Sequence, residues 1–149
     1  MPCDECDHQV REDPAPFRLV IASDPMSVRE ALRTLMSANV MQGLSGDRRG
    51  VAEIVLAEVL NNVVEHAYAD TSGEIRLEVQ REGCSLQCEV VDSGRPMPGD
   101  HPPDPIPSRP EELQEGSFGW YMIRMLSQDL KYRRRNGQNE IRLRLPTIA

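Results

Sequence analysis

Glu58-Val59-Leu60-Asn61-Asn62-Val63-Val64-Glu65-His66-Ala67-Tyr68 is the stretch on which the reading of this chain turns. It lies in a run with helical periodicity. Val51, Val55, Val59, Val63 and Ala67 recur every four residues, with Leu56 and Leu60 beside them, so one broad face is apolar. Glu58, Asn62 and His66 also fall four residues apart and share a stripe at the margin of that face. Asn61 and Glu65 occupy the outward positions. A carboxylate and an amide half inside a core are costly unless something pairs with them.

Two readings of these polar residues stand side by side. In one, Glu58 and Asn62 bond to each other or to neighbouring backbone, as in many ordinary helices. In the other, Asn62 ligates a metal on a nucleotide and Glu58 handles a proton. The rest of the chain decides between them.

The chain of 149 residues suits one domain with one core. Its formal charge of -7 is uneven: residues 1–117 carry 10 basic and 22 acidic side chains, and residues 118–149 carry 7 and 2, hence -12 and +5. The acidic part argues against general nucleic-acid binding. No apolar run is long enough for a membrane span and the N-terminus has no signal-peptide pattern, so the cytoplasm is the expected compartment. Reduced thiols are expected there, and the four cysteines are not read as two disulfides.

Residues 1–16 are polar and acidic and read as a flexible tail ahead of a single domain at 17–149. Cys3, Cys6 and His8 cluster in that tail, but no fourth ligand follows at metal-site spacing. Phe17 to Ile21 is rich in strand formers. Ser23 or Asp24 before Pro25 predicts a helix start, with Val28, Leu32, Leu35 and Met36 as the inner face of a helix running to about Val40. After a break at Gly43 to Gly46, Asp47 or a neighbour starts the central helix, which ends near Tyr68. Ile75, Leu77 and Val79, then Leu86, Cys88 and Val90, alternate with polar residues as two strands of an antiparallel hairpin. Cys88 is thus a core filler and Cys84 sits at a strand start.

Asp92-Ser93-Gly94 closes that hairpin. Residues 96–110 then hold seven prolines without periodicity, a loop long enough to be functional. Gly116-Ser117-Phe118-Gly119 opens a third helix, with Trp120, Ile123 and Leu126 or Leu130 as its buried side. Lys131 to Arg135 and Asn139 to Leu145 are strands joined by Asn136-Gly137, a strong hairpin signal. Alternation on an edge hairpin puts one or two of Arg133, Arg134 and Arg135 in solvent. A solvated face is their first reading, and a docking patch for an acidic partner the second.

Three polar blocks therefore punctuate the order strand, helix, helix, hairpin, loop, helix, hairpin. They are Glu58-x-x-x-Asn62-x-x-x-His66, Asp92-x-Gly94 and Gly116-x-x-Gly119. Each alone is a common local pattern. Their joint order resembles the GHKL, or Bergerat-fold, ATPase superfamily, and within it the anti-sigma-factor serine/threonine kinases of bacterial partner-switching systems. The resemblance covers about residues 17–146 and extends to Gly119-Trp120-Tyr121-Met122-Ile123-Arg124 and to Tyr132-Arg133-Arg134-Arg135-Asn136-Gly137-Gln138-Asn139-Glu140.

The resemblance implies an α+β, two-layer sandwich: a mostly antiparallel sheet covered on one face by helices. It implies ATP and Mg²⁺ as cofactors. Asn62 would give its amide oxygen to Mg²⁺, a hard ion that keeps several waters. Asp92 would accept from the adenine amino group, and Gly94 would let the backbone approach the ring. Gly116, Ser117, Phe118 and Gly119 would aim backbone N–H groups at phosphate oxygens, helped by the helix dipole. Residues 95–115 would be the ATP lid, with Arg109 as its late cation near the γ-phosphate. Glu58 would be the catalytic base. His66 would either join the nucleotide site or cap the helix end.

By the same resemblance the partners would be a STAS-type anti-anti-sigma protein, phosphorylated on Ser or Thr, and a sigma factor or similar regulator. A homodimer through the first strand and helix is implied too. Three departures from the family pattern stand out: Pro96 replaces a second glycine of the Asp92 block, Gly-Ser-Phe-Gly replaces the commoner Gly-Gly-x-Gly, and the lid is short and proline-laden, with Arg109 as its only late cation. Alternatives are a nucleotide-binding partner switch without catalysis, or a detached histidine-kinase catalytic domain. The lack of a helix bearing a phospho-acceptor histidine argues against a complete sensor kinase.

Overall fold

The computed structural model describes residues 13–102 and 117–148, with side chains from Gly119 onward in the second stretch. The order is β1 (Phe17–Ala22), α1 (Pro25–Met36), α2 (Gly46–Asn62), β2 (Glu74–Glu82), β3 (Ser85–Asp92), α3 (Ser117–Leu126), β4 (Gln128–Arg135) and β5 (Gln138–Pro146). The strands form one antiparallel sheet in the order β1-β2-β3-β5-β4. This is the expected α+β arrangement of sheet and helices.

Alternation in the strands builds the two faces. Ile75, Leu77, Val79, Leu86, Cys88, Val90, Ile141, Leu143 and Leu145 are buried and join α1, α2 and α3 in one core. The opposite face carries charge pairs. Arg18 stands across from Glu78, Glu89 from Arg142 and Arg133 from Glu140, each in direct register and bridged at 2.9, 2.6 and 2.7 Å. Such exposed pairs contribute little stability, so burial on the helical face holds the sheet.

Local chemistry starts the helices. Asp24 caps α1: its Oδ1 accepts from Ser27 N–H and its Oδ2 from the Ser27 hydroxyl, both at 2.8 Å, with Pro25 in the first turn. Ser45, rather than Asp47, caps α2 through the N–H of Arg48.

Helix α1 ends at Met36, four residues short of the sequence expectation. A 3₁₀ turn at Asn39–Met41 follows and buries Val40 and Met41 completely. The guanidinium of Arg49, on α2, donates to the main-chain oxygens of Met36 at 2.6 Å and Met41 at 3.4 Å. A partner from the next helix thus satisfies the Met36 carbonyl, which a longer α1 would have satisfied itself.

The Asn136-Gly137 turn joins β4 to β5 as expected, both residues having positive φ, 54° and 74°. Trp120 and Ile123 are buried on α3, and Leu126 and Leu130 pack at the core margin. Cys88 is a free thiol in the core, but Cys84, in the β2–β3 turn, is disulfide-bonded, so the expectation of reduced thiols does not hold for it. No helix among the described residues is long and apolar enough to cross a membrane. The Cys3, Cys6 and His8 cluster lies outside the described residues.

Candidate functional site

The end of α2 supplies the first wall. Asn62 is 9% exposed and its Nδ2 donates to the main-chain oxygen of Glu58 at 2.8 Å. That bond commits the amide nitrogen and leaves Oδ1 as an acceptor without a partner among the described residues. Glu58, one turn earlier, is half-buried. One end of Asn62 is therefore tied to the helix, and the other is available as an acceptor.

Beyond Asn62 the helix widens into a π turn over Val63–Ala67, closed by Tyr68 N–H to the oxygen of Val63 at 3.1 Å. The spacing of four that aligned Glu58 and Asn62 fails there. His66 is accordingly exposed. Tyr68 turns inward, 6% exposed, and its hydroxyl accepts from Ser93 N–H and donates to Glu74 C=O, each at 2.8 Å.

The second block lies directly against this turn. A Cβ on Gly94 would stand 2.4 Å from the main-chain oxygen of Ala67. The same oxygen accepts from Arg95 N–H at 2.8 Å. Gly94 is required because two backbones meet there. Asp92, at the end of β3, points to the core side of the sheet and is 2% exposed. Its Oδ1 accepts from Gly94 N–H at 2.9 Å and from Asn139 Nδ2 at 2.8 Å, while Oδ2 accepts nothing among the described residues. Burial raises the Asp92 pKa above the usual carboxylate range, against the pull of those bonds and of the Arg134 charge.

The third block closes the site. A Cβ on Gly119 would stand 2.5 Å from Glu58 Oε2 and 3.5 Å from Asn62 Nδ2. The first turn of α3 therefore abuts the Glu58–Asn62 face of α2. Ser117 and Phe118 form the first two helical positions, where N–H groups lack intrahelical acceptors and an anion is favoured. Arg109 and Gly116 lie outside the described residues, as does most of the expected lid. Its described start runs through a 3₁₀ turn at Pro98–Asp100. Pro102 is buried, and its oxygen accepts from Arg124 on α3 at 3.2 Å.

Several residues that join the site carried no assigned role in the sequence. Tyr68 ties the α2 end to the Asp92 loop. Asn139, Tyr132 and Arg134 reach the same loop from the β4–β5 hairpin. Arg134 is thus not purely solvated: Nη1 donates to Gly94 C=O at 2.7 Å. Arg133 and Arg135 instead flank Glu140. Asn139 was visible only as part of a family-like run; its register opposite Asp92 is a long-range fact.

No cluster of three or more His, Cys, Asp or Glu that could hold a metal occurs among the described residues. A cation here would rest on Asn62 Oδ1 together with nucleotide phosphates and water. That suits Mg²⁺, which takes few protein ligands, and the donor is an oxygen as that ion prefers.

Comparisons with known proteins bear on the family and the fold. Residues 21–145 match the histidine kinase-like ATPase domain family. The serine-protein kinase RsbW of Oceanobacillus iheyensis is 27% identical over 131 residues, covering 81% of this chain and 80% of that protein. Among solved structures, the RsbU and RsbW domains of Rv1364c from Mycobacterium tuberculosis align with a TM-score of 0.60 at 17% identity, over 89% of this chain and 32% of that one. The histidine kinase domain of the Erythrobacter litoralis EL346 blue-light activated kinase aligns with a TM-score of 0.52 at 18% identity, over 83% and 60%. These two likenesses concern the fold. With Gly94 and Gly119 packed against the end of α2 and the family match spanning residues 21–145, the chain belongs to the histidine kinase-like ATPase family.

Proposed function

We propose that this protein is an ATP-dependent serine/threonine protein kinase of the partner-switching type. It phosphorylates a STAS-type anti-anti-sigma protein and binds a sigma factor or similar regulator until that protein displaces it. The observation that carries the reading is the packing of Glu58 and Asn62 against Gly119 at the start of α3. The Glu58 carboxylate and the Asn62 side-chain amide there lie against the helix start whose N–H groups are expected to hold phosphate. The likeness to a serine-protein kinase RsbW supports the choice of acceptor and partners.

In this reading Asp92 Oδ2 accepts from the adenine amino group and the α3 N-terminus holds the phosphates. Asn62 Oδ1 would hold Mg²⁺, which supplies charge neutralisation across the phosphates. Glu58 accepts the proton of the substrate hydroxyl. The hydroxyl oxygen bonds to the γ-phosphorus as the bond to the bridging oxygen breaks, and ADP leaves with that electron pair. A homodimer through β1 and α1 belongs to the same reading. Val20 on β1 and Met26 on α1, 57% and 60% exposed, give that surface apolar character.

The test is transfer from γ-labelled ATP to a cognate STAS-type protein. An acid-stable phosphoprotein that disappears with Glu58→Gln is expected. An acid-labile product would point to histidine phosphorylation. Saturable nucleotide binding without transfer would make the protein a non-catalytic switch. Calorimetry on wild type and Asn62→Ala tests the metal assignment, since only the wild type should bind ATP more tightly with Mg²⁺ present.

A further inference from the structure

Asn139 sits on β5 directly opposite Asp92 and is 3% exposed. A side-chain amide has two N–H donors and two acceptor lone pairs. All four are used here. Nδ2 donates to Asp92 Oδ1 and to the main-chain oxygen of Arg95, both at 2.8 Å. Oδ1 accepts from Arg134 Nη1 at 3.0 Å and from the Tyr132 hydroxyl. That hydroxyl in turn accepts from Met97 N–H at 3.0 Å. Two acceptors on one side and two donors on the other leave only one orientation for the amide.

The network reaches Asp92 and the chain leading into the expected lid at four points: Asp92 Oδ1, Gly94 C=O, Arg95 C=O and Met97 N–H. It occupies one oxygen of Asp92 and so presents the other in a fixed direction. A free carboxylate could rotate and offer either oxygen, or swing toward solvent. We propose that Asn139, held by Tyr132 and Arg134, is a positioning residue for base recognition: it locks Asp92 so that Oδ2 alone meets the exocyclic amino group, and it ties that choice to the root of the lid. This rests on the reading above that Asp92 receives the adenine base.

Discrimination for the amino group measures it. Affinities are determined for ATP and for purine riboside triphosphate, which is ATP without the 6-amino group. One hydrogen bond to a charged acceptor corresponds to a preference for ATP of about tenfold or more. For Asn139→Ala the ratio should fall toward unity, while affinity for the purine analogue stays within about threefold of wild type. Asn139→Asp should abolish the ratio too, because a second carboxylate would face Asp92. Should either variant fail to fold, Tyr132→Phe, which keeps the ring and removes only the hydroxyl, should lower the ratio by a smaller factor.

A merely structural Asn139 would weaken both nucleotides together and leave the ratio unchanged, which would overturn the inference. A wild type that does not discriminate at all would instead overturn the Asp92 assignment, and the inference with it. Retained discrimination in Tyr132→Phe, with Asn139→Ala unfolded, would likewise overturn it.

Discussion

Gly119 and Glu58 approach so closely that a Cβ on the glycine would stand 2.5 Å from Glu58 Oε2. Gly94 is equally crowded, but by the main-chain carbonyl of Ala67. The two glycines therefore respond differently to the same substitution. In Gly119→Ala the carboxylate, at the end of a flexible side chain, moves aside. Stability should change by no more than about 1 kcal/mol in either direction. Phosphotransfer should fall by a factor on the order of 10²–10⁴, the usual worth of a positioned base. In Gly94→Ala two backbones must separate, and a loss of about 1–3 kcal/mol is expected. Urea midpoints and phosphotransfer rates on both variants check the contrast.

Tyr68 makes a similarly specific prediction. Its hydroxyl joins Ser93 N–H to Glu74 C=O. Tyr68→Phe leaves both main-chain groups without that partner, at a cost of about 1–3 kcal/mol. The loop that carries Asp92 should loosen, and amide exchange at Ser93 should quicken more than exchange in β5.

Asp92 links stability to pH. Burial raises its folded pKa above that of a free aspartate, so the fold favours the protonated form. Ionisation then costs stability as pH rises from 3.8 through the raised pKa, and the cost is constant above it. Asp92→Asn, which cannot ionise, should be more stable than wild type near pH 7, and the difference should vanish as pH falls through that window. Nucleotide binding needs the ionised form and should weaken on acidification at a higher pH than an ordinary carboxylate would give. Thermal melts and binding isotherms from about pH 3 to 8 span the carboxylate range.

Cys88 lies in the core, and burial pushes its thiol up to about 12. The native protein should not react there with an aromatic disulfide reagent at pH 8, because the thiolate is the reactive species. Reaction should appear in step with global unfolding in urea. Early labelling at Cys88 would contradict its placement between Leu86 and Val90.

Much of the fold was legible because its signals are local. The alternation in β2, β3 and β5, the Asp24-Pro25 start and the Asn136-Gly137 turn each act within a few residues. The end of α1 is not set locally, because the Met36 carbonyl finds Arg49 on the next helix. His66 shared the stripe of Glu58 and Asn62 on paper, but a π turn rotated it into solvent.

The sequence by itself determined the element order, the buried faces and the three polar blocks, since periodicity and turn chemistry depend on near neighbours. Only the tertiary structure decided which residues meet across the chain. The sheet register set Asn139 against Asp92, and close helix packing set Gly119 against Glu58. Those pairings join positions far apart in sequence, and packing, not propensity, selects them.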